Sequence, residues 1–128
     1  MRSEEIDRGI VALVGIEKGD SPASIRRMGE RLVSYRLFPD EQGSMNLSVT
    51  DVGGDILLVP NFTVAADTKK GTRAGFSTAA APDYGKQLFH QLAERLTAIH
   101  PATVTGIFGA DMQITLTNDG PVTFILES

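Results

Sequence analysis

Two amphipathic segments that each open at a proline divide this chain and limit how it can fold. The first opens at Ser21-Pro22, and the second opens at Pro82 and ends before Pro101. Serine is favoured at a helix N-cap and proline at the first helical position. Apolar residues recur at helical spacing in both segments: Ile25, Met28, Leu32 and Tyr35, then Tyr84, Leu88, Leu92, Leu96 and Ile99. Both segments are therefore predicted to be helices that pack one face onto a core.

Short apolar runs before, between and after the two helices predict β-strands. The runs are Gly9–Gly15, Leu47–Val49, Ile56–Val59, Thr103–Ile107, Met112–Leu116 and Val122–Leu126. Strands that precede, separate and follow two helices predict an α+β fold with a mainly antiparallel, barrel-like sheet. A chain of 128 residues predicts one domain over residues 1–128.

Composition excludes several classes of site. With 41% hydrophobic and 22% charged residues, the chain has the composition of an ordinary globular domain. It contains no cysteine, so disulfides and thiolate zinc sites are excluded. No cluster has metal-ligand spacing, and we predict neither a metal nor a cofactor. No run approaches the roughly 18 apolar residues of a membrane span, and Met1–Glu5 is too polar for a signal peptide. We expect a cytoplasmic protein without a membrane partner.

One basic cluster stands out in a chain whose net charge is −4. Lys69, Lys70 and Arg73 lie in a long loop over residues 65–81. The net charge argues against a nucleic-acid binder that ignores sequence, but it leaves a local basic patch possible. On composition alone the cluster is best explained as a solvated loop, although a loop this long in a compact domain is often functional.

The segment Pro60-Asn61-Phe62-Thr63 ends a predicted buried strand. Because Pro60 has no N–H to donate, the strand must end or bulge there, which predicts an irregular, accessible conformation for Asn61, Phe62 and Thr63. The alternative is that Pro60 terminates an edge strand and Phe62 lies in the core. Thr63 is a candidate nucleophile only if a base takes its proton.

Histidine supplies no such base. His90 is predicted on the surface of the second helix, and His100 is predicted to cap the C-terminus of that helix. A Ser–His–Asp triad is therefore unsupported.

A rigid turn is predicted near the C-terminus, at Asn118–Thr123. Asn, Asp and Gly tolerate left-handed backbone conformations, and Pro121 fixes its own φ. A cis peptide between Gly120 and Pro121 is predicted, because an X-Pro bond prefers trans by only about 0.5–1 kcal/mol. Such a turn exposes carbonyls and amides that can bind a small polar ligand.

Five segments in order and spacing give the chain a family resemblance. They are Val14–Asp20, Met45-Asn46-Leu47, Ala65–Gly71, Phe108–Gln113 and Asn118–Thr123. From about Gly9 to Ser128 the chain resembles the D-aminoacyl-tRNA deacylases, formerly called D-tyrosyl-tRNA deacylases. The resemblance implies a deacylase-type fold and chiral proofreading, that is, hydrolysis of D-aminoacyl esters of tRNA without a cofactor.

The resemblance also implies roles for particular residues. Asn61, Phe62 and Thr63 form the catalytic turn, with backbone amides as an oxyanion hole and assistance from the 2′-hydroxyl of the RNA. The homodimer places Gly120-Pro121 of one subunit in the pocket of the other. The implied substrate-binding residues are Asn118, Phe108, Ala110, Met112, Gly120 and Pro121, and the implied contacts to tRNA near its 3′ end are Lys69, Lys70 and Arg73.

Two departures from the family pattern leave alternatives open. Pro60-Asn61 stands where the family has Ser-Gln, and the charged segment Ser3–Asp7 does not replace the strand that precedes Gly9 in the family. One alternative is a catalytically silent paralogue that keeps the fold and binds a tRNA end or another small ligand. The other is a deacylase of altered chirality that acts on mischarged L-aminoacyl-tRNA.

Overall fold

The computed structural model describes residues 5–128, so the expectation for Ser3–Asp7 falls partly outside the described residues. The strands are β1 (Gly9–Val14), β2 (Phe38–Pro39), β3 (Met45–Leu47), β4 (Asp55–Pro60) and β5 (Thr103–Thr105). The helices are α1 (Pro22–Ser34) and α2 (Pro82–Ile99), with a 3₁₀ helix at Phe62–Ala65. None of the helices in this part of the chain is long and apolar enough to span a membrane.

The larger sheet is parallel and has the order β1-β4-β5. Its register pairs Gly9 with Asp55 and Val14 with Pro60, and it pairs Ile56 with Thr103. Strands β2 and β3 form a separate antiparallel pair. The α+β class is confirmed, but the described sheets are mixed rather than mainly antiparallel. An apolar run marks a buried strand without giving its direction, and here α1 and α2 each lie in a crossover that returns the chain parallel to the preceding strand.

The N-terminal cap of α1 and the C-terminal cap of α2 agree with the sequence signals. Ser21 and Ser24 form a capping box at the start of α1: the Ser24 amide donates to Ser21 Oγ (3.3 Å), and the Ser21 amide donates to Ser24 Oγ (2.9 Å). His100 is the C-cap of α2, as predicted, and its Nε2 lies 2.8 Å from the carbonyl oxygen of Gly54. A carbonyl only accepts, so Nε2 carries the proton.

The core lies between α1, α2 and one face of the parallel sheet. Its fully buried side chains are Val49, Ile56, Leu58, Leu88, Phe89, Leu92 and Leu96. Fully burying one Leu, Ile or Phe side chain is worth about 1.5–3 kcal/mol, so this layer is the main source of stability. Because the sheet and both helices are joined through this core, it fixes where the end of β4 lies.

The two C-terminal strand predictions are corrected. Neither Met112–Leu116 nor Val122–Leu126 belongs to a strand ladder within residues 5–128. Phe124 contacts Tyr35, with ring centroids 5.7 Å apart, and Leu126 packs against the core. Alternating residues indicate a segment with two different faces, but a ladder also requires a partner backbone, which the pattern does not supply.

Candidate active site

The candidate site begins where β4 ends. Pro60 is the last residue of β4, and the next amide, that of Asn61, donates to the carbonyl of Val14 (2.8 Å). The chain then turns into the 3₁₀ helix, so the predicted irregular conformation is confirmed. The alternative is wrong on both points. Strand β4 is the central strand of its sheet, and Phe62 is 64% exposed.

Asn61 organises this turn with its side chain as well as its backbone. As N-cap of the 3₁₀ helix, its Oδ1 accepts from the Thr63 amide (3.1 Å) and from the Thr63 hydroxyl. Its carbonyl accepts from the amide of Val64 (3.2 Å). Asparagine is among the strongest N-cap residues. That preference, read together with a hydroxyl residue two positions later, was the sequence signal that could have revealed this cap.

The two amides predicted as oxyanion donors differ in availability. The Phe62 N–H donates to no acceptor within residues 5–128, as is usual for the first residue of a helix. The Thr63 N–H is engaged by the Asn61 side chain rather than by a strand. Neither amide is used in the sheet, and both residues are exposed. The turn therefore presents one unpaired backbone donor beside a hydroxyl group.

The 3₁₀ helix is held by the loop after β1 and by Thr78. A Cβ added to Gly15 would lie 2.7 Å from the Ala65 nitrogen and 3.0 Å from Val64 Cβ, so only glycine permits this approach of the loop after β1. The hydroxyl of Thr78 donates to the carbonyl of Ala65. These contacts fix the 3₁₀ helix relative to the sheet.

An aromatic pair flanks the turn. The rings of Phe62 and Phe76 have centroids 5.2 Å apart and planes inclined by 51°. Both rings are substantially exposed, Phe62 at 64% and Phe76 at 46%. The sequence analysis did not predict that Phe76 contacts the turn. Its position as the single aromatic residue of the long loop was the available signal for this contact.

The basic loop, residues 68–74, lies next to this aromatic pair. Two hydrogen bonds between the backbones of Asp67 and Gly75 (2.7 and 2.8 Å) close the loop over residues 68–74. Lys69, Lys70 and Arg73 are exposed on it, and none forms an ion pair with a described residue. Since Phe76 follows this closure directly, the loop projects from the same end of the sheet as the Phe62–Thr63 turn.

The C-terminal turn is held by the side chain of Asn118. Its Oδ1 accepts from the Val122 amide and its Nδ2 donates to the Thr123 hydroxyl, both at 2.9 Å. Gly120 has φ +135°, and its peptide with Pro121 is cis, which confirms that prediction. The expected insertion of Gly120-Pro121 into a second subunit involves another copy of the chain and stays a prediction.

The remaining predicted ligand-binding residues occupy different surroundings. Phe108 packs on α2, with its ring centroid 6.0 Å from that of Phe89. A Cβ on Gly106 would lie 3.1 Å from Met112 Sδ and 3.3 Å from Pro60 Cδ, which places Met112 beside the end of β4. Ala110 is exposed, and its amide donates to Ile107 (3.2 Å). Met112 therefore lies near the turn, whereas Phe108 faces the core.

Neither histidine of the chain lies at the turn. His100 bonds to Gly54, which precedes β4 at the end opposite to Pro60, about 20 Å away at 3.3 Å per residue. His90 is exposed on α2, as predicted. The described residues contain no group of three or more His, Cys, Asp or Glu side chains able to hold a metal ion. The turn itself presents the Phe62 backbone N–H and the Thr63 hydroxyl.

Comparison with known proteins assigns the family. The family model described as D-Tyr-tRNA(Tyr) deacylase matches residues 2–127. The chain belongs to this deacylase family. A curated relative from Teredinibacter turnerae, named D-aminoacyl-tRNA deacylase, is 55% identical over 124 residues, which cover 97% of this chain and 86% of the relative.

Solved structures agree on the fold. A protein named c-Myc DNA Unwinding Element Binding Protein superposes with TM-score 0.90 at 34% identity, over 96% of this chain and 84% of that one. A probable eukaryotic D-amino acid tRNA deacylase gives TM-score 0.73 at 14% identity, over 83% and 77% of the two chains, and shows the fold alone. The deacylase-type fold that the resemblance implied is therefore confirmed.

Proposed function

We propose that this protein is an ester hydrolase that releases D-amino acids from the 3′-terminal adenosine of tRNA. The observation that carries the proposal is the match of the deacylase family model to residues 2–127. The end of β4 offers fitting chemistry, because an exposed turn presents the unpaired N–H of Phe62. Acyl transfer requires a donor of this kind, aimed at the oxygen that becomes negative in the transition state.

In the proposed mechanism, water adds to the ester carbonyl carbon and the Phe62 N–H stabilises the resulting oxyanion. A fixed donor of this type is worth about 3 kcal/mol. The bond between the acyl carbon and the ribose 3′-oxygen then breaks, and that oxygen leaves as a hydroxyl with the proton that the attacking water has lost. The neighbouring ribose 2′-hydroxyl assists, as the family resemblance implies, and both histidines of the chain lie away from the turn.

The surroundings of the turn suit an RNA end. Exposed aromatic rings bind unstacked bases at about 1–3 kcal/mol per base, and the Phe62–Phe76 pair offers such a surface. Lys69, Lys70 and Arg73 lie beside it on a loop that is free to meet phosphates. We assign this loop to the tRNA acceptor end and place the protein in the cytoplasm, where charged tRNA is used.

Chiral selection in this proposal comes from a second subunit. Gly120-Pro121 of the partner subunit enters the pocket, its backbone carbonyls hold the α-amino group, and the side chain of an L-amino acid has no room. Asn118 supports this role because its side chain bonds across the turn to Val122 and Thr123. We assign Met112, which lies beside the end of β4, to this pocket, together with Ala110 and Phe108 as the family resemblance implies.

The deciding experiment compares hydrolysis of D-tyrosyl-tRNA and L-tyrosyl-tRNA by the purified protein. We expect rapid release of D-tyrosine and little release of L-tyrosine. Faster release of L-tyrosine would identify a deacylase of altered chirality. Tight binding of tRNA without hydrolysis of either ester would identify a silent paralogue.

A further inference from the structure

The hydroxyl group of Thr63 is held in one orientation by Asn61. Asn61 Oδ1 lies 3.1 Å from the backbone nitrogen of Thr63 and within hydrogen-bond distance of Thr63 Oγ1. A backbone N–H only donates, so the carboxamide atom that faces it must be the oxygen and not the NH₂ group. The same oxygen therefore accepts the proton of the Thr63 hydroxyl.

This orientation decides what Thr63 can offer a ligand. With its proton directed to Asn61, Oγ1 presents only lone pairs toward the exposed side of the turn. A carboxamide oxygen is too weak a base to take the proton, so the contact does not activate Thr63 as a nucleophile. Thr63 is instead prepared to accept a hydrogen bond from a donor on the ligand.

An aminoacylated adenosine carries two donors next to the ester, the α-ammonium group and the ribose 2′-hydroxyl. An ammonium group has three N–H bonds to satisfy and is best served by several carbonyl oxygens. The 2′-hydroxyl has one proton, and it lies on the carbon adjacent to the esterified one. With the carbonyl oxygen of the ester on the Phe62 N–H, the Oγ1 of the adjacent Thr63, a single acceptor atom, matches that single donor in number.

We infer that Asn61 is a positioning residue, and that it makes Thr63 Oγ1 the acceptor for the ribose 2′-hydroxyl. The inference rests on the proposed function, because it takes the aminoacylated adenosine as ligand. It also explains how Asn61 acts without touching the ligand. Its side chain is folded back onto Thr63, and its oxygen is already engaged twice.

The test measures binding of three non-hydrolysable analogues of D-tyrosyl-adenosine in which an amide replaces the ester. One analogue is complete, one lacks the 2′-hydroxyl and one lacks the α-amino group. The variants are Asn61→Ala, Asn61→Asp and Thr63→Val. Asn46→Ala is the matched control, because it removes an exposed asparagine whose side chain bonds to Asp40 in the β2–β3 turn.

Asn61→Ala and Thr63→Val should weaken binding of the complete analogue about threefold to tenfold, which is the usual worth of one hydrogen bond. Neither variant should change binding of the 2′-deoxy analogue. Asn61→Asp should bind the complete analogue like the wild type, because a carboxylate oxygen accepts the same two bonds. Equal losses on the complete and 2′-deoxy analogues, or a loss that disappears only with the des-amino analogue, would overturn the inference.

Hydrolysis by the wild type separates this inference from the proposed function. A protein that hydrolyses D-tyrosyl-tRNA but shows no dependence of the Asn61 effect on the 2′-hydroxyl overturns the inference alone. A protein that shows this dependence in binding but hydrolyses neither ester overturns the enzymatic proposal alone. Failure to bind any of the three analogues overturns both.

Discussion

Single residues at the candidate site are fixed by space and by hydrogen bonds that leave little choice of side chain. Gly15 lies under the 3₁₀ helix where any Cβ would meet backbone. Gly120 combines φ +135° with a Cβ position 2.7 Å from Val122 Cγ2. Asn61 supplies a side-chain oxygen that accepts two bonds. Each of these residues shapes the turn in which it lies, so we expect its substitution to affect function.

We expect Gly15→Ala to displace the 3₁₀ helix and to slow deacylation. Its Cβ would lie 2.7 Å from the Ala65 nitrogen, so the backbone must shift, at a cost of about 1–3 kcal/mol in unfolding free energy. Gly19→Ala is the control, since a Cβ there meets nothing within 4 Å. Urea unfolding and D-tyrosyl-tRNA hydrolysis should change for Gly15→Ala only. Equal behaviour of the two variants would contradict this account.

Gly120→Val should reduce deacylation and chiral preference far more than Thr63→Ala. Valine is strained at φ +135° and would block the approach of backbone to the amino group. Thr63→Ala removes one hydrogen bond, worth about 1 kcal/mol, and should leave a rate roughly fivefold lower. Initial rates on D- and L-tyrosyl-tRNA measure both effects. An inactive Thr63→Ala beside a fully active and selective Gly120→Val would make Thr63 a covalent nucleophile.

Stability in acid should depend on Asp51. Bonds from the backbone and the side chain of Ser48 lower the pKa of this carboxyl below 3.8, with a smaller contribution from the charge of Arg36. A lowered folded-state pKa gives stability that is present above pH 3.8 and is lost as the pH falls below it. Asp51→Asn should therefore have a lower urea midpoint than the wild type at pH 7. The two midpoints should converge near pH 2. A constant difference across this range would rule out the linkage.

At the scale of elements, local sequence signals predicted the helices and the end of β4. They did not predict which strands pair across long stretches of the chain. Ser21 marks the start of α1 by a side-chain cap, and Pro22 and Pro82 mark helix starts because their φ is fixed near the helical value; both effects act within a few residues. Pro60 ends β4 because it lacks an N–H. By contrast, β1 and β4 pair across more than 40 intervening residues, and nothing in either run specifies a parallel partner. The Phe62–Phe76 contact escaped for the same reason.

The contribution of the basic loop, residues 68–74, to tRNA binding should depend on the salt concentration. Replacing Lys69, Lys70 and Arg73 together by glutamine removes three exposed positive charges without touching the Asp67–Gly75 closure. If each of these residues contacts one phosphate, the plot of log K for tRNA binding against log salt should become less steep by about 2–3. Arg95→Gln is the control, since Arg95 already pairs with Glu30 (3.3 Å). An unchanged slope would remove the loop from the RNA contact.

At the scale of the whole molecule, large apolar side chains remain exposed on the C-terminal part of the chain. They include Ile107, Ile114, Leu116, Phe124 and Ile125, the last of these 88% exposed. Large apolar side chains exposed in one part of a chain are typical of a surface that another protein covers. This supports the homodimer on which the proposed chiral selection depends.

Sedimentation equilibrium at micromolar concentration should therefore give the mass of a dimer. Leu116→Lys and Ile125→Lys would place charges among the exposed apolar side chains and should shift the equilibrium toward monomer. Glu94→Lys, on the exposed face of α2, is the control for a change in charge. A wild type that sediments as a monomer would contradict both the interface and a site completed across subunits.

The closure between Asp67 and Gly75 has a consequence for how the chain can be engineered. The two backbone hydrogen bonds fasten the base of the loop, and residues 68–74 beyond them are exposed. Exposed loop tips are the preferred places for proteolytic nicking and for inserted sequence. A cut at the tip would leave β1, α1 and β4 in one fragment and α2 and β5 in the other, still held together by β4–β5 pairing and the common core. We therefore expect the two fragments to stay associated through this shared core, which makes the basic tip the natural place to divide or to extend the chain.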